Sequence, residues 1–178
     1  MIPPSRPQQK KDATLKLLAK AGVNDKVALV GIRGYYLDSM GEKGKNDRGI
    51  YDDAIFLVSP EAYVSFNANT DPTVYRTGIA SLVPGVHIYK KGRHGISKGA
   101  GYPALRPATK DEALPVYRDG EGISIGYNIN IHRGGYNTTS SLGCQTIYPT
   151  QYHSFISLVY DQMDRFSQKT IPYLLIEA

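Results

Sequence analysis

Ten consecutive residues, Ile123 to His132, alternate with period two: Ile123, Ile125, Tyr127, Ile129 and Ile131 on one parity, Ser124, Gly126, Asn128, Asn130 and His132 on the other. Successive side chains of a β-strand point to opposite faces, so the pattern predicts one strand with an apolar face and a polar face that ends on a histidine. Such a strand needs a sheet around it. The rest of the chain supplies one: short runs rich in Val, Ile and Tyr are interrupted by 18 Gly and 11 Pro, and Tyr alone occurs 14 times. That is the composition of a β-rich fold with many turns. At 178 residues and 41% hydrophobic content the chain suits one domain with a sizeable core and is short for two.

Residues 1–11, rich in Pro, Gln and Lys, are expected to form a flexible arm, which leaves 12–178 as a single domain. Asp12 is positioned to cap a helix over 13–21 that stops at Gly22, and 149–166 reads as a second helix. Strands are expected over 26–36, 54–58, 62–66, 85–90, 114–118, 123–132 and 171–176, with loops over 39–49 and 92–109. The fold class is therefore β-rich α+β, a mixed sheet or sandwich with a short N-terminal helix and a C-terminal helix. Asp52 and Asp53 are adjacent on a strand and so point to opposite faces. They do not make a glycosidase pair, and the reading is a solvated pair where the strand begins.

A formal charge of +5 favours polyanionic partners, but no helix-turn-helix, zinc-finger or RNA-binding signature accompanies it, so nucleic acid is not expected. No run reaches the length of a membrane span, and the first residues lack the apolar core of a secretory signal. With one cysteine, Cys144, there is no internal disulfide. The four histidines do not form His-Glu-x-x-His, and one cysteine falls short of a structural zinc site, so neither metal nor cofactor is called for.

Cys144 lies in Ser-Ser-Leu-Gly-Cys-Gln, twelve positions after His132. A lone cysteine is often an inert small hydrophobe. Here Gly143 precedes it and Gly134, Gly135 and the polar run from Asn137 to Ser141 surround it, which describes a loop rather than a packed strand. A thiol is a strong nucleophile only as thiolate, and a nearby histidine is the usual way to form one, so Cys144 and His132 are the candidate nucleophile and base. On that reading Cys144 is expected to be unusually acidic.

The order histidine, short glycine-rich connection, Ser-x-Gly-Cys resembles the catalytic motif of the L,D-transpeptidase (YkuD-type) family, with matches at His132, Ser141, Gly143 and Cys144. Leu142 stands where that family usually has histidine, Thr146 where it usually has arginine, and only residues 133–143 separate the two catalytic positions. The variant is most similar to phage-encoded lysis enzymes that carry this domain. The resemblance implies an L,D-transpeptidase-like fold and a peptidoglycan endopeptidase that acts through a thioester. It implies backbone N–H groups of Leu142, Gly143 and Cys144 as the oxyanion site, and bacterial peptidoglycan as the partner of a monomeric enzyme. Such an enzyme is made in the host cytoplasm and acts on the wall after release. Arg133, Ser141, Gln145 and His87 are candidate substrate contacts, with His94 an alternative to His87. A cross-linking transpeptidase and a non-catalytic wall-binding or virion module are the other readings.

Overall fold

A computed structural model of the chain describes residues 9–178. In chain order the elements are α1 (Lys11–Lys20), β1 (Ala28–Arg33), β2 (Asp53–Val58), β3 (Tyr63–Asn69), β4 (Ala80–Leu82), β5 (Gly85–His94), β6 (Tyr102–Pro107), β7 (Ala113–Arg118), β8 (Gly122–Tyr127), β9 (Ile131–Arg133), β10 (Gln145–Ile147), α2 (Tyr152–Arg165) and β11 (Thr170–Glu177), with single 3₁₀ turns before β6 and β7. The protein is β-rich α+β with a helix near each end. Among the described residues a closed barrel runs β1-β11-β5-β6-β9-β10-β3-β2, and β4-β7-β8 form a separate three-stranded sheet. The barrel is mixed: β1 pairs parallel with β11 and β9 with β10, and the remaining pairs are antiparallel.

β1 shows why the barrel closes. All six of its residues are buried, as a continuous apolar strand covered on both faces must be. Leu29 packs inward with Ile55, Leu57 and Tyr173, while Ala28, Val30 and Ile32 join Phe56, Val58 and Leu18 of α1 on the outside. A Cβ at Gly31 would occupy the place of the Tyr173 ring, so glycine at this position lets a tyrosine cross the barrel. α2 sets Tyr152, Phe155, Ile156, Val159 and Met163 against the main core, the i, i+3, i+4, i+7 spacing of an amphipathic helix. Phe155 meets Phe66 edge-on at 5.2 Å.

Five expectations change, four of them local. The arm expectation falls largely on residues 1–8, which lie outside the described residues, but 9–11 belong to the fold: Gln9 N donates to the Tyr35 hydroxyl at 2.9 Å and α1 begins at Lys11. Lys10, not Asp12, is the N-cap, and Asp12 instead lies in the first turn, where a negative charge suits the helix dipole. The segment 92–109 is not a loop, because β5 runs on to His94 and pairs antiparallel with β6, which the sequence reading missed under its Gly and Pro content. Asp52 and Asp53 are fully buried rather than solvated. Asp53 accepts from Gly34 N and Thr70 N at 2.5 Å each, and burial, followed for Asp53 by the charges of Asp71 and Asp52, raises both carboxyls well above the carboxylate range.

The largest change concerns the alternating run. It is two strands, β8 in the small sheet and β9 in the barrel, separated by Asn128 in the left-handed conformation (φ 56°). Ile123, Ile125 and Tyr127 are exposed, whereas Ile129 and Ile131 lie in the core. A single residue in the left-handed region turns the chain, so one parity serves two different faces on either side of it.

Candidate active site

β9 and β10 bring the two candidate residues together. They run parallel, with Gln145 opposite Ile131 and Thr146 opposite His132, so the cysteine that precedes β10 lies beside the stretch that leads into β9. Gln145 N donates to Asn130 O at 2.9 Å and fixes that alignment. The connecting loop is pinned from outside. Tyr51 Oη donates to Gly135 O at 2.6 Å, and Thr73 exchanges two bonds with Ser141, Thr73 N to Ser141 O and Ser141 N to Thr73 Oγ1, each 2.9 Å. Gly143 (φ 132°) passes so close to β4 that a Cβ there would stand 2.9 Å from Ala80 O, which accounts for glycine before the cysteine.

His132 is 4% exposed. Its Nδ1 is 2.8 Å from Arg133 O, and since a carbonyl only accepts, Nδ1 carries the proton and Nε2 is left as the base. Tyr102 Oη stands 3.3 Å from the same Nδ1. The His94 ring stacks on His132 at 3.8 Å between centroids and 11° between planes, and Asn130 Nδ2 donates to His94 Nδ1 at 3.1 Å. Burial, and then the neighbouring His94, lower His132 to about 4, so it is neutral across the physiological range. Burial, and then the Arg106 charge, also lower His94.

Cys144 is partly exposed, yet its sulfur is deeply set, and burial pushes the thiol up to about 11 against the opposing pull of the Asn130 backbone N–H and the Arg106 charge. The thiol donates to Asn128 O at 3.5 Å. This reverses the expectation of an acidic thiol. In the structure the thiol proton is held by a backbone carbonyl rather than by His132; both groups are neutral, and no hydrogen bond joins them.

The other expected site residues divide. Arg133 is exposed, lies over the Tyr102 ring at 5.0 Å and edges a cleft of about 300 Å³ walled by Tyr102, Tyr152, His153 and Tyr160. Leu142 is exposed at the loop tip. Ser141 is buried and structural, because its Oγ donates to Cys144 O at 2.7 Å and accepts from Gly143 N at 3.1 Å. That bond occupies the Gly143 N–H, which is therefore not a ready oxyanion donor. Gln145 is fully buried: it accepts from Tyr173 Oη at 3.0 Å and donates to Thr70 O and Gly143 O at 3.3 Å each, so it is no substrate contact. His87 is buried with Nε2 2.7 Å from Val83 O, at the opposite end of β5 from His94, and it too is structural. Sequence reasoning missed Tyr102, Asn130, Asn128 and Arg106. The first and last lie in the segment taken for a loop, and the asparagines were placed on the parity of His132 but given no role of their own.

Among the described residues no group of three or more His, Cys, Asp or Glu is arranged to hold a metal ion, and no helix is long and apolar enough to cross a membrane. No family model, no curated protein and no solved structure matches the chain.

Proposed function

We propose that the protein is a phage-type endolysin with an L,D-transpeptidase-like catalytic domain, a cysteine peptidase that hydrolyses peptide bonds in peptidoglycan stem peptides or their cross-links. The observation that carries this reading is the fixed tautomer of His132: the Arg133 carbonyl accepts the Nδ1 proton, which leaves the free lone pair on Nε2, in a histidine of β9, the strand with which β10 pairs directly after Cys144. The motif resemblance supplies the substrate class.

The chemistry starts from the neutral pair. The thiol proton leaves Sγ for His132 Nε2, and the thiolate attacks the peptide carbonyl carbon. The two charges arise together and compensate each other, which offsets the burial that raises the thiol and lowers the imidazole. The imidazolium then returns its proton to the departing amine as the C–N bond breaks, leaving a thioester on Cys144. Water, deprotonated by the same Nε2, attacks the thioester carbonyl; the C–S bond breaks, the acid leaves and the Nε2 proton returns to Sγ. Backbone N–H groups at Leu142 and Cys144 face the developing oxyanion in this scheme. Arg133, at the edge of the tyrosine-walled cleft, supplies a cation for a substrate carboxylate.

The deciding experiment is mass spectrometry of muropeptides after digestion of purified peptidoglycan with wild type and Cys144→Ala. Shortened or uncoupled stem peptides on intact glycan strands, absent with the variant, are expected. New cross-links from donor and acceptor stems indicate a transpeptidase, cut glycan strands sink the peptide-bond reading, and wall binding with no new product indicates a non-catalytic module.

A further inference from the structure

Arg106 and Cys144 are bound to the same residue. Cys144 Sγ donates to the backbone oxygen of Asn128 at 3.5 Å, and Arg106 Nη2 donates to the side-chain oxygen of Asn128 at 2.8 Å. Arg106 is otherwise fully tethered: Nε to Glu112 Oε1 at 2.7 Å, Nη2 to Glu112 Oε2 at 2.5 Å and Nη1 to Arg93 O at 3.0 Å. A Cβ at Gly92 would stand 2.7 Å from Arg106 Cδ, so the stem lies flat across β5 only because glycine is there. Two residues with side chains and positive φ bind this guanidinium, Glu112 (56°) and Asn128 (56°), the first preceded by Asp111 (55°), and Asn128 N donates to Glu112 O at 3.3 Å. Conformations of this kind cost free energy and persist where surrounding structure imposes them, often beside reacting groups.

We propose that Arg106 is a positioning residue of the thiol: it holds the left-handed turn at Asn128 that carries the thiol's resting acceptor, and it fixes a positive charge beside the sulfur that favours the thiolate once the proton has gone to His132. The surroundings leave this role to Arg106. The other titratable groups about the sulfur are Tyr89 from β5, Tyr102 from β6, and the His94–His132 pair, all neutral at physiological pH, and Glu112 sits behind the guanidinium as its counter-charge. The field of Arg106 reaches both the thiol, which it lowers, and His94, which it also lowers.

The proposal takes Cys144 as the nucleophile but does not depend on which bond is cut, so its test uses the thiol alone. Iodoacetamide alkylation of the full chain is followed against pH for wild type, Arg106→Gln, Arg106→Lys and Glu112→Gln, with circular dichroism as the check of folding. Arg106→Gln is expected to slow alkylation at neutral pH by about tenfold and to move its pH profile up by about one unit, since one unit of pKa is a tenfold change in thiolate. Arg106→Lys should recover most of the rate, and Glu112→Gln, which leaves the cation without its counter-charge, should hold the rate or raise it. If Arg106→Gln does not fold, the double variant Arg106→Gln/Glu112→Gln removes both charges as a hydrogen-bonding pair and should be slowed alike. An unmoved profile in the folded Arg106→Gln or double variant overturns the proposal. So does an equal slowing in Glu112→Gln, which would make the ion pair merely structural. Absence of wall digestion by the wild type, with these alkylation results intact, would sink the peptidase reading and leave this one standing.

Discussion

The two halves of the run from Ile123 to His132 carry the same alternation and end in different environments. In β8, Ile123 is 74% exposed, and Ile125, Tyr127 and, across the β7–β8 pair, Tyr117 share that open face. In β9, Ile131 is fully buried between β6 and β10, and the next residue is the candidate base. The turn at Asn128 separates a tolerant surface strand from the strand on which the site is built. Equal patterning therefore does not mean equal burial: each half answers to the sheet it joins, and the residue between them decides where the change falls.

The comparison is broken first by chemistry. Cys144→Ala and His132→Ala are expected to reduce wall digestion by on the order of 10⁴-fold or more, the range in which removal of a nucleophile or its base falls, while Ile123→Ser leaves digestion unchanged. Turbidity clearance and muropeptide yield read both, and a comparable loss in Ile123→Ser would place the site on the wrong half.

Stability sharpens it next. Ile131→Ala should cost about 2–5 kcal/mol by loss of transfer energy and formation of a cavity, against about 0.5 kcal/mol or less for Ile123→Ala. Urea denaturation of the two variants measures the gap, and similar values would mean that β8 is covered in solution.

Acid tests the buried histidine. Because the folded value for His132 is lowered from 6.5 to about 4, its contribution is fully present above pH 6.5 and is lost as the pH falls through 4. Over that window the wild type should lose up to about 3 kcal/mol more than His132→Gln, one pKa unit being about 1.4 kcal/mol. Parallel stability curves for the two proteins would show that His132 is solvated and does not share the burial of Ile131.

The smallest effect concerns the divide itself. Asn128→Ala puts a less tolerant side chain in the left-handed region and removes the Arg106 contact, for an expected cost of about 1–2 kcal/mol, while Asn128→Gly should cost less. Thermal melts that rank glycine below alanine would mean the turn does not exist in solution.

Much of the framework was legible. The apolar run at β1, the amphipathic spacing of α2 and the closing strand β11 are local patterns that report burial directly, and the helix ends came within a few residues. The pairing of β5 with β6 was not legible, because Gly92, Gly95 and Pro103 read as loop formers, whereas Gly92 is in the strand to make room for Arg106. Of the expected contacts, Arg133 reaches the rim of a cleft, but Ser141, Gln145 and His87 were taken up by hydrogen bonds inside the fold. A polar side chain in a motif shows the same letter whether it serves a ligand or its own backbone.

The sequence by itself determined that this chain builds a β-rich fold with a helix near each end, and that His132 and Cys144 stand on either side of a short polar loop, since periodicity, glycine placement and spacing are local properties. Only the tertiary structure decided the protonation and partners of those residues. The stacking of His94 on His132, the hold of Asn128 on the thiol and the placement of Arg106 join strands far apart in the chain, and desolvation, which raises the thiol and lowers the imidazole, exists only once the barrel has closed around them.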